Sequence, residues 1–207
     1  MLGFKPQMLP AIAPDLASRL SSETVLVSML AGVEAATVRN YFPAVESVVR
    51  IMPNLPVGER QGVTALLSED ASPELRKRME GLFGLLGLAI WTESEGQLAA
   101  IGALAGAGPA YVARFVGALA KAGEARGLDK QLASAVALET VAGTALMAKT
   151  RGEDMGELAR RVASPKGTTE AGLAVLDAGG ALDHLVAETI AASARRGAEL
   201  AEAARKP

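Results

Sequence analysis

The chain has 207 residues, half of them apolar and 21% charged, enough for one ordinary domain or two small ones with a sizeable core, which excludes wholesale disorder. Its 21 Lys plus Arg against 23 Asp plus Glu give a net charge of -2, without the basic excess of a nucleic-acid binder. Cys is absent and His184 is the one histidine, which excludes disulfides, thiolate metal sites and Cys nucleophiles and points to the cytosol.

An aromatic share of 3% beside abundant Ala and Gly favours closely approaching helices, so helix should dominate. In residues 1–70, short β-branched runs alternate with short helical patterns, the alternation of a layered α/β sheet. Ile12, Leu16 and Leu20 predict a helix over 10–20, ahead of a buried strand over 24–28 and a helix over 33–41. Residues 48–52 predict a further strand, stopped by Pro53, which cannot donate to a ladder. From Ser72 onward the pattern is helical. Ser72-Pro73-Glu74 supplies an N-cap hydroxyl, a proline at the first helical position and an acid in the first turn. Gly87 should end that helix, and Trp91 should be core.

Residues 109–126 predict a long helix with Tyr111, Phe115 and Leu119 four apart and few charges, so most of its circumference needs burial. Asp129 should cap the next helix, over 130–149, whose Leu132, Val136, Ala142, Gly143 and Ala145 suit tight packing. The two helices ask for a partner subunit. Helices over 155–163, 169–178 and 182–203 follow, with Gly179-Gly180 as the break between the last two. Apolar runs such as 98–107 fall short of the roughly 18–20 residues that span a bilayer, so no transmembrane segment is expected. Pro6 and Gln7 interrupt the apolar start, so no secretion signal is expected either.

Several segments carry candidate chemistry. Lys5-Pro6-Gln7 and Ala31-Gly32 each follow a strand end, where an open parallel sheet binds ligands, although Pro6 and Gly32 also serve as plain turns. Asn54, between Pro53 and Pro56, can cap, turn or bind, or belong to a linker. Gly106-Ala107-Gly108-Pro109 lets backbone approach a ligand or another helix, but Tyr111 in the third glycine position rules out a dinucleotide fingerprint. Ser164-Pro165-Lys166-Gly167-Thr168-Thr169 is the richest segment. It reads either as a carboxylate or phosphate cradle at a helix N-terminus, or as a helix capped by Thr168 or Thr169 beside a solvated Lys166. His184 reads as a surface residue.

In order and spacing, these five segments resemble the pyrroline-5-carboxylate reductase family, from about Gly3 to Leu200. The resemblance implies reduction of 1-pyrroline-5-carboxylate to L-proline with NADPH or NADH, in proline biosynthesis in the cytoplasm. It implies an α/β plus all-α fold, mostly helical overall. A partial Rossmann-like NAD(P)-binding domain would occupy 1–70 and a helical dimerisation and substrate-binding domain 71–207. A homodimer, or an oligomer of dimers, follows, with no metal, nucleic acid or membrane partner. Carried over by position, Thr169 would be catalytic, and Glu95, Ser164, Gly167, Thr168 and Thr169 would bind substrate. Gly3, Phe4, Lys5, Pro6, Met29, Leu30, Ala31 and Asn54 would bind the cofactor.

The sequence also departs from the family. The family's opening strand, G-x-G-x-x-G turn and helix have no counterpart before Lys5, so contact with only the nicotinamide half of the cofactor, and weak binding, are expected. A truncated, non-enzymatic dimerisation fragment or pseudoenzyme is the rival reading. Gly102, Ala105 and Ala107 stand where Thr, Ser and Ser are usual, and Lys166 replaces a usual glycine. A reductase acting on a 2-hydroxy acid would instead centre on a helical-domain lysine, and Lys121 and Lys149 lie in no supporting pattern.

Overall fold

The run Val48-Val49-Arg50-Ile51 lies in β2 (Ser47–Pro53), which pairs in parallel with β1 (Val25–Ser28). β2 also pairs antiparallel with β3 (Gly62–Leu67), which in turn pairs in parallel with β4 (Gly87–Trp91). The sheet is therefore mixed, in the order β1-β2-β3-β4, and Leu2 adds an isolated parallel bridge to Ser28. The computed structural model describes residues 1–205.

Strand alternation sorts the core. Leu26 and Val48 face α1 (Leu9–Ala17) and α2 (Ala35–Tyr41), packing with Leu9, Ala13, Val38 and Phe42. Val27, Val49, Ile51 and Leu66 face the other way, onto Leu75, Met79 and Phe83 of α3 (Pro73–Gly84). Those three residues recur every four positions, and each buried side chain of this size contributes about 1.5–3 kcal/mol. Ala65 and Leu67 take Leu98 of α4 (Glu95–Ile101). Helices thus cover both faces of the sheet.

Residues 1–109 and the chain from Ile190 form one compact unit, and Ala110–Thr189 forms a second. The boundary expected near residue 70 falls inside the first unit, because α3 and β4 still belong to the sheet layers. Helical text was expected throughout after Ser72, and Gly87 as a helix end. Instead α3 stops at Gly84, and Gly87, at φ +130, opens β4. Trp91 is half-buried, its Nε1 donating to the Arg76 carbonyl at 3.3 Å while the Arg76 guanidinium stands 4.7 Å over its ring.

The second unit contains α5 (Gly108–Glu124), α6 (Lys130–Arg151), α7 (Met155–Val162) and α8 (Thr168–Leu176), and then the start of α9 (Ala181–Arg205). Asp129 caps α6 as expected, accepting from the Gln131 and Leu132 amides at 3.0 Å. Gly179 and Gly180, both at positive φ, break α8 from α9. The buried cluster of this unit is small: Ala120, Ala133 and Ala137, with Val116 against them. Phe115, Val136 and Leu146 are 46%, 50% and 64% exposed, so the apolar circumference of α5 and α6 is uncovered within one chain. By length and composition alone, the helical stretches Glu95–Glu124 and Lys130–Arg151 could each cross a membrane, where short apolar runs led us to expect none. Glu95–Glu124 reaches this length because Gly102–Gly106 forms a π-turn that carries the helix onward instead of ending it.

Candidate active site

In the first unit, two of the segments expected to bind the cofactor meet at the edge of the sheet. The Leu2 amide donates to the Val27 carbonyl at 2.7 Å, and the Met29 amide donates to the Leu2 carbonyl at 3.0 Å. Gly3, Lys5 and Pro6 therefore lie beside Met29, Leu30 and Ala31, just past the carboxyl ends of parallel backbone. Lys5, Met29 and Ala31 are exposed. Leu30 is 1% exposed, and Phe4 packs against the α1–α2 core, so these two side chains support the surface from beneath. Gly32 has φ +73, and a Cβ there would come within 2.9 Å of Ala201 Cα on α9, so glycine is required twice over.

Asn54, at the end of β2, is engaged by the fold. Its Oδ1 accepts from the Val63 amide at 2.8 Å, and its Nδ2 donates to the Ala105 carbonyl at 3.1 Å. Its carboxamide brackets β2, β3 and the π-turn.

Beyond Ala31 opens a cavity of about 920 Å³, walled by Gly32, Glu34, Arg50, Met52, Glu95 and Gly102 and by the face of α9 from Ser193 to Glu202. Gly102 leaves room for the Met52 sulfur, with which a side chain at 102 would collide. At the floor, Arg50 Nη1 donates to Glu95 Oε2, while Glu95 Oε1 accepts from the Ala35 amide at 3.0 Å. Burial pulls the Arg50 guanidinium below its ordinary pKa, opposed by the charges of Glu95 and Glu34 and by the Glu95 hydrogen bond. Both oxygens of Glu95, expected to bind substrate, are thus taken up inside this unit.

The remaining residues expected to bind substrate lie in the second unit. After α7, the Gly167 amide donates to the Ser164 carbonyl at 2.9 Å, closing a turn in which Lys166 has φ +59. This left-handed backbone is one that glycine adopts freely, and Lys166 holds it against the preference of a residue with a Cβ. Its own amide donates to Glu170 Oε2 at 2.6 Å. The N-cap of α8 is Gly167, without a side-chain cap, so neither Thr168 nor Thr169 caps this helix. Among the described residues, nothing accepts from the amides of Thr168 and Thr169. Two donors therefore face outward at a helix N-terminus, beside the half-buried Thr169 and the exposed Ser164 and Lys166. Of the amides expected to hold an anion, that of Gly167 is already committed. His184 is exposed, as expected.

The sequence reading missed Arg50 as a site residue. Its signal was present: a charge inside a β-branched run that must be buried needs a partner.

Residues 95–200 match the family model described as pyrroline-5-carboxylate reductase dimerisation. The pyrroline-5-carboxylate reductase of Pseudomonas aeruginosa is 37% identical over 203 residues, covering 98% of this chain and 74% of the relative. A solved pyrroline-5-carboxylate reductase from Coxiella burnetii has a TM-score of 0.89 at 34% identity, over 96% of this chain and 74% of that one. The Plasmodium falciparum pyrroline carboxylate reductase, solved with NADP bound, shares the fold with a TM-score of 0.79 at 24% identity, over 94% of this chain and 78% of that one. Sequence and fold agree along nearly the whole chain, which belongs to the pyrroline-5-carboxylate reductase family.

Proposed function

We propose that this chain reduces 1-pyrroline-5-carboxylate to L-proline with NADPH or NADH. The observation that carries the reading is the start of α8, where the Thr168 and Thr169 amides, without an acceptor among the described residues, and the Thr169 hydroxyl lie in a segment matched by the family model. The first unit serves the cofactor. Its adjoining strand ends and the small-residue cavity wall suit a flat nicotinamide ring, with Gly3, Lys5, Pro6, Met29 and Ala31 holding it and Phe4 and Leu30 supporting them. When bound, the dinucleotide supplies a hydride.

The substrate carboxylate sits on the Thr168 and Thr169 amides and the Ser164 hydroxyl, with the Lys166 charge beside it. Thr169 donates a hydrogen bond to the imine nitrogen. As hydride adds to the imine carbon, the C=N π pair moves to that nitrogen, which takes a proton from solvent relayed through the Thr169 hydroxyl, and the same hydroxyl stabilises the negative charge that develops there. A second copy of the chain covers the apolar faces of α5 and α6, as the dimerisation match and their exposure support. The cytoplasm suits this role.

A reductase assay on 1-pyrroline-5-carboxylate with each cofactor tests the reading, and turnover with neither would favour the non-enzymatic dimerisation fragment. Thr169→Val should lower kcat/KM by about 10–1000-fold, and Thr168→Val by less. Because Gly167 is the cap, both variants should keep their melting temperature. Near-parental kcat/KM in Thr169→Val would remove Thr169 from the mechanism.

A further inference from the structure

The last parallel pairing of β2 with β1 joins Arg50 to Ser28, so Met52 stands past the carboxyl end of β1, on the side where an open parallel sheet takes its ligand. Met52 is half-buried and packs against Ala65, Leu67 and Leu98, all of them buried. Beside it lies Gly102, where α4 passes into the π-turn. Gly102 has φ -59 and ψ -43, a right-handed conformation open to every L-residue, so the backbone does not ask for glycine. A glycine within a helix costs stability. What asks for it is Met52: a Cβ at 102 would collide with its sulfur and stand 3.3 Å from its methyl carbon. The thioether is thus seated on bare backbone, with packed core behind it and the cavity in front. An atom added at 102 would push the sulfur outward, because a close-packed core does not take it. Methionine's three rotatable bonds let it yield without unfolding the chain.

We propose that Met52 is a cofactor-contact residue and Gly102 its positioning residue: the thioether, seated on Gly102, forms the surface on which the nicotinamide ring lies. A polarizable sulfur suits the edge of an unsaturated ring, and the small residues around it in the wall, Ala31, Gly32, Ala99 and Ala103, leave the ring its space. The identity of the ring rests on the reductase reading; the seat of the sulfur does not.

The test compares the parent, Gly102→Ala, Met52→Ala and the double variant in the full chain, by NADPH titration, methionine-methyl NMR and steady-state kinetics. The Met52 methyl resonance, identified by its loss in Met52→Ala, should shift when NADPH is added to the parent without the imine. Gly102→Ala should raise the Kd for NADPH by about 10-fold, with the KM for 1-pyrroline-5-carboxylate changed by less than about 3-fold. Met52→Ala, which opens the wall, should raise that Kd by about 3-fold. Adding Gly102→Ala to Met52→Ala should then change it by less than about 2-fold, because the sulfur that the new methyl would displace is gone. Equal effects of Gly102→Ala with and without Met52 would mean that the glycine serves the helix and not the thioether, and would overturn the proposal. A rise in the imine KM with NADPH affinity unchanged would put the sulfur against the substrate and overturn it too, as would NADPH binding that leaves the Met52 methyl unmoved. Those three results leave the reductase reading standing, whereas a parent that neither binds NADPH nor turns over removes both.

Discussion

Lys166→Gly separates backbone strain from charge at the turn before α8. Lys166 occupies φ +59, where an L-residue with a Cβ loses about 1–2 kcal/mol relative to the right-handed region. Glycine removes that strain but returns about 0.5–1 kcal/mol through its freer unfolded chain. The net expectation is a stabilisation of about 0.5–1 kcal/mol. For a chain of this size, that raises the melting temperature by roughly 1–4 °C. The amide bond to Glu170 survives, because it uses backbone. The lost ammonium was exposed, so substrate binding should weaken by only about 0.2–1 kcal/mol, a rise in KM of roughly 1.5–5-fold. Lys166→Ala is the control: it keeps the Cβ and the strain and loses the charge, so KM should rise by the same factor with no gain in melting temperature. Calorimetric melts and initial rates on both variants decide the matter. If Lys166→Gly melts no higher than Lys166→Ala, the strain argument fails; if KM is unchanged in both, Lys166 has no part in holding the carboxylate.

Asn54→Ala removes partners from both the Val63 amide and the Ala105 carbonyl and should destabilise the chain by about 2–3 kcal/mol in a denaturant melt. Burial pushes the Asp70 carboxyl up, but hydrogen bonds from Ser47 and Ser68 and the contact with Arg39 outweigh it, so its folded pKa lies below the usual aspartate value. The stability it contributes is therefore present above about pH 4 and is lost as pH falls through the depressed pKa; the gap in melting temperature between the parent and Asp70→Asn should be full above about pH 4 and narrow as the pH is lowered from there. Light scattering should find no folded monomer. A helical monomer that melts cooperatively at nanomolar concentration would refute the shared apolar core of α5 and α6.

Much of this fold could be read locally. Phe115 and Leu119 announced α5 by periodicity, and Asp129 and Ser72 announced the caps of α6 and α3, because each signal lies within a few residues. β3 and β4 could not be read so. Gly62–Leu67 is a short apolar run that becomes a strand only by pairing with β2, and Gly87–Trp91 follows Leu85 and Leu86 without a break in apolarity. Short apolar runs suit helix and strand alike, and pairing decides. The turn at Ser164–Thr169 is visible as composition, with an anion cradle and a cap by Thr168 or Thr169 both open on that ground; the N-cap is Gly167, after the left-handed Lys166. Arg50 signalled locally that it needs a partner, but that the partner is Glu95 left no local pattern, since their contact spans 45 residues.

The first unit is discontinuous in the chain, and this bears on how it is made. Its sheet is translated before the second unit, yet one wall of its cavity is the part of α9 from Ser193 to Glu202, which is translated after it. At roughly 5–20 residues per second, the whole of the second unit is synthesised in the interval, a delay of several seconds. During that time Gly32 lacks the helix its backbone is shaped to receive, and the cavity is an open trough. Vectorial folding therefore cannot complete this cavity before the second unit is made, and loss of the stretch from Ser193 to Glu202 would damage a wall of the first unit, not the helices of the second.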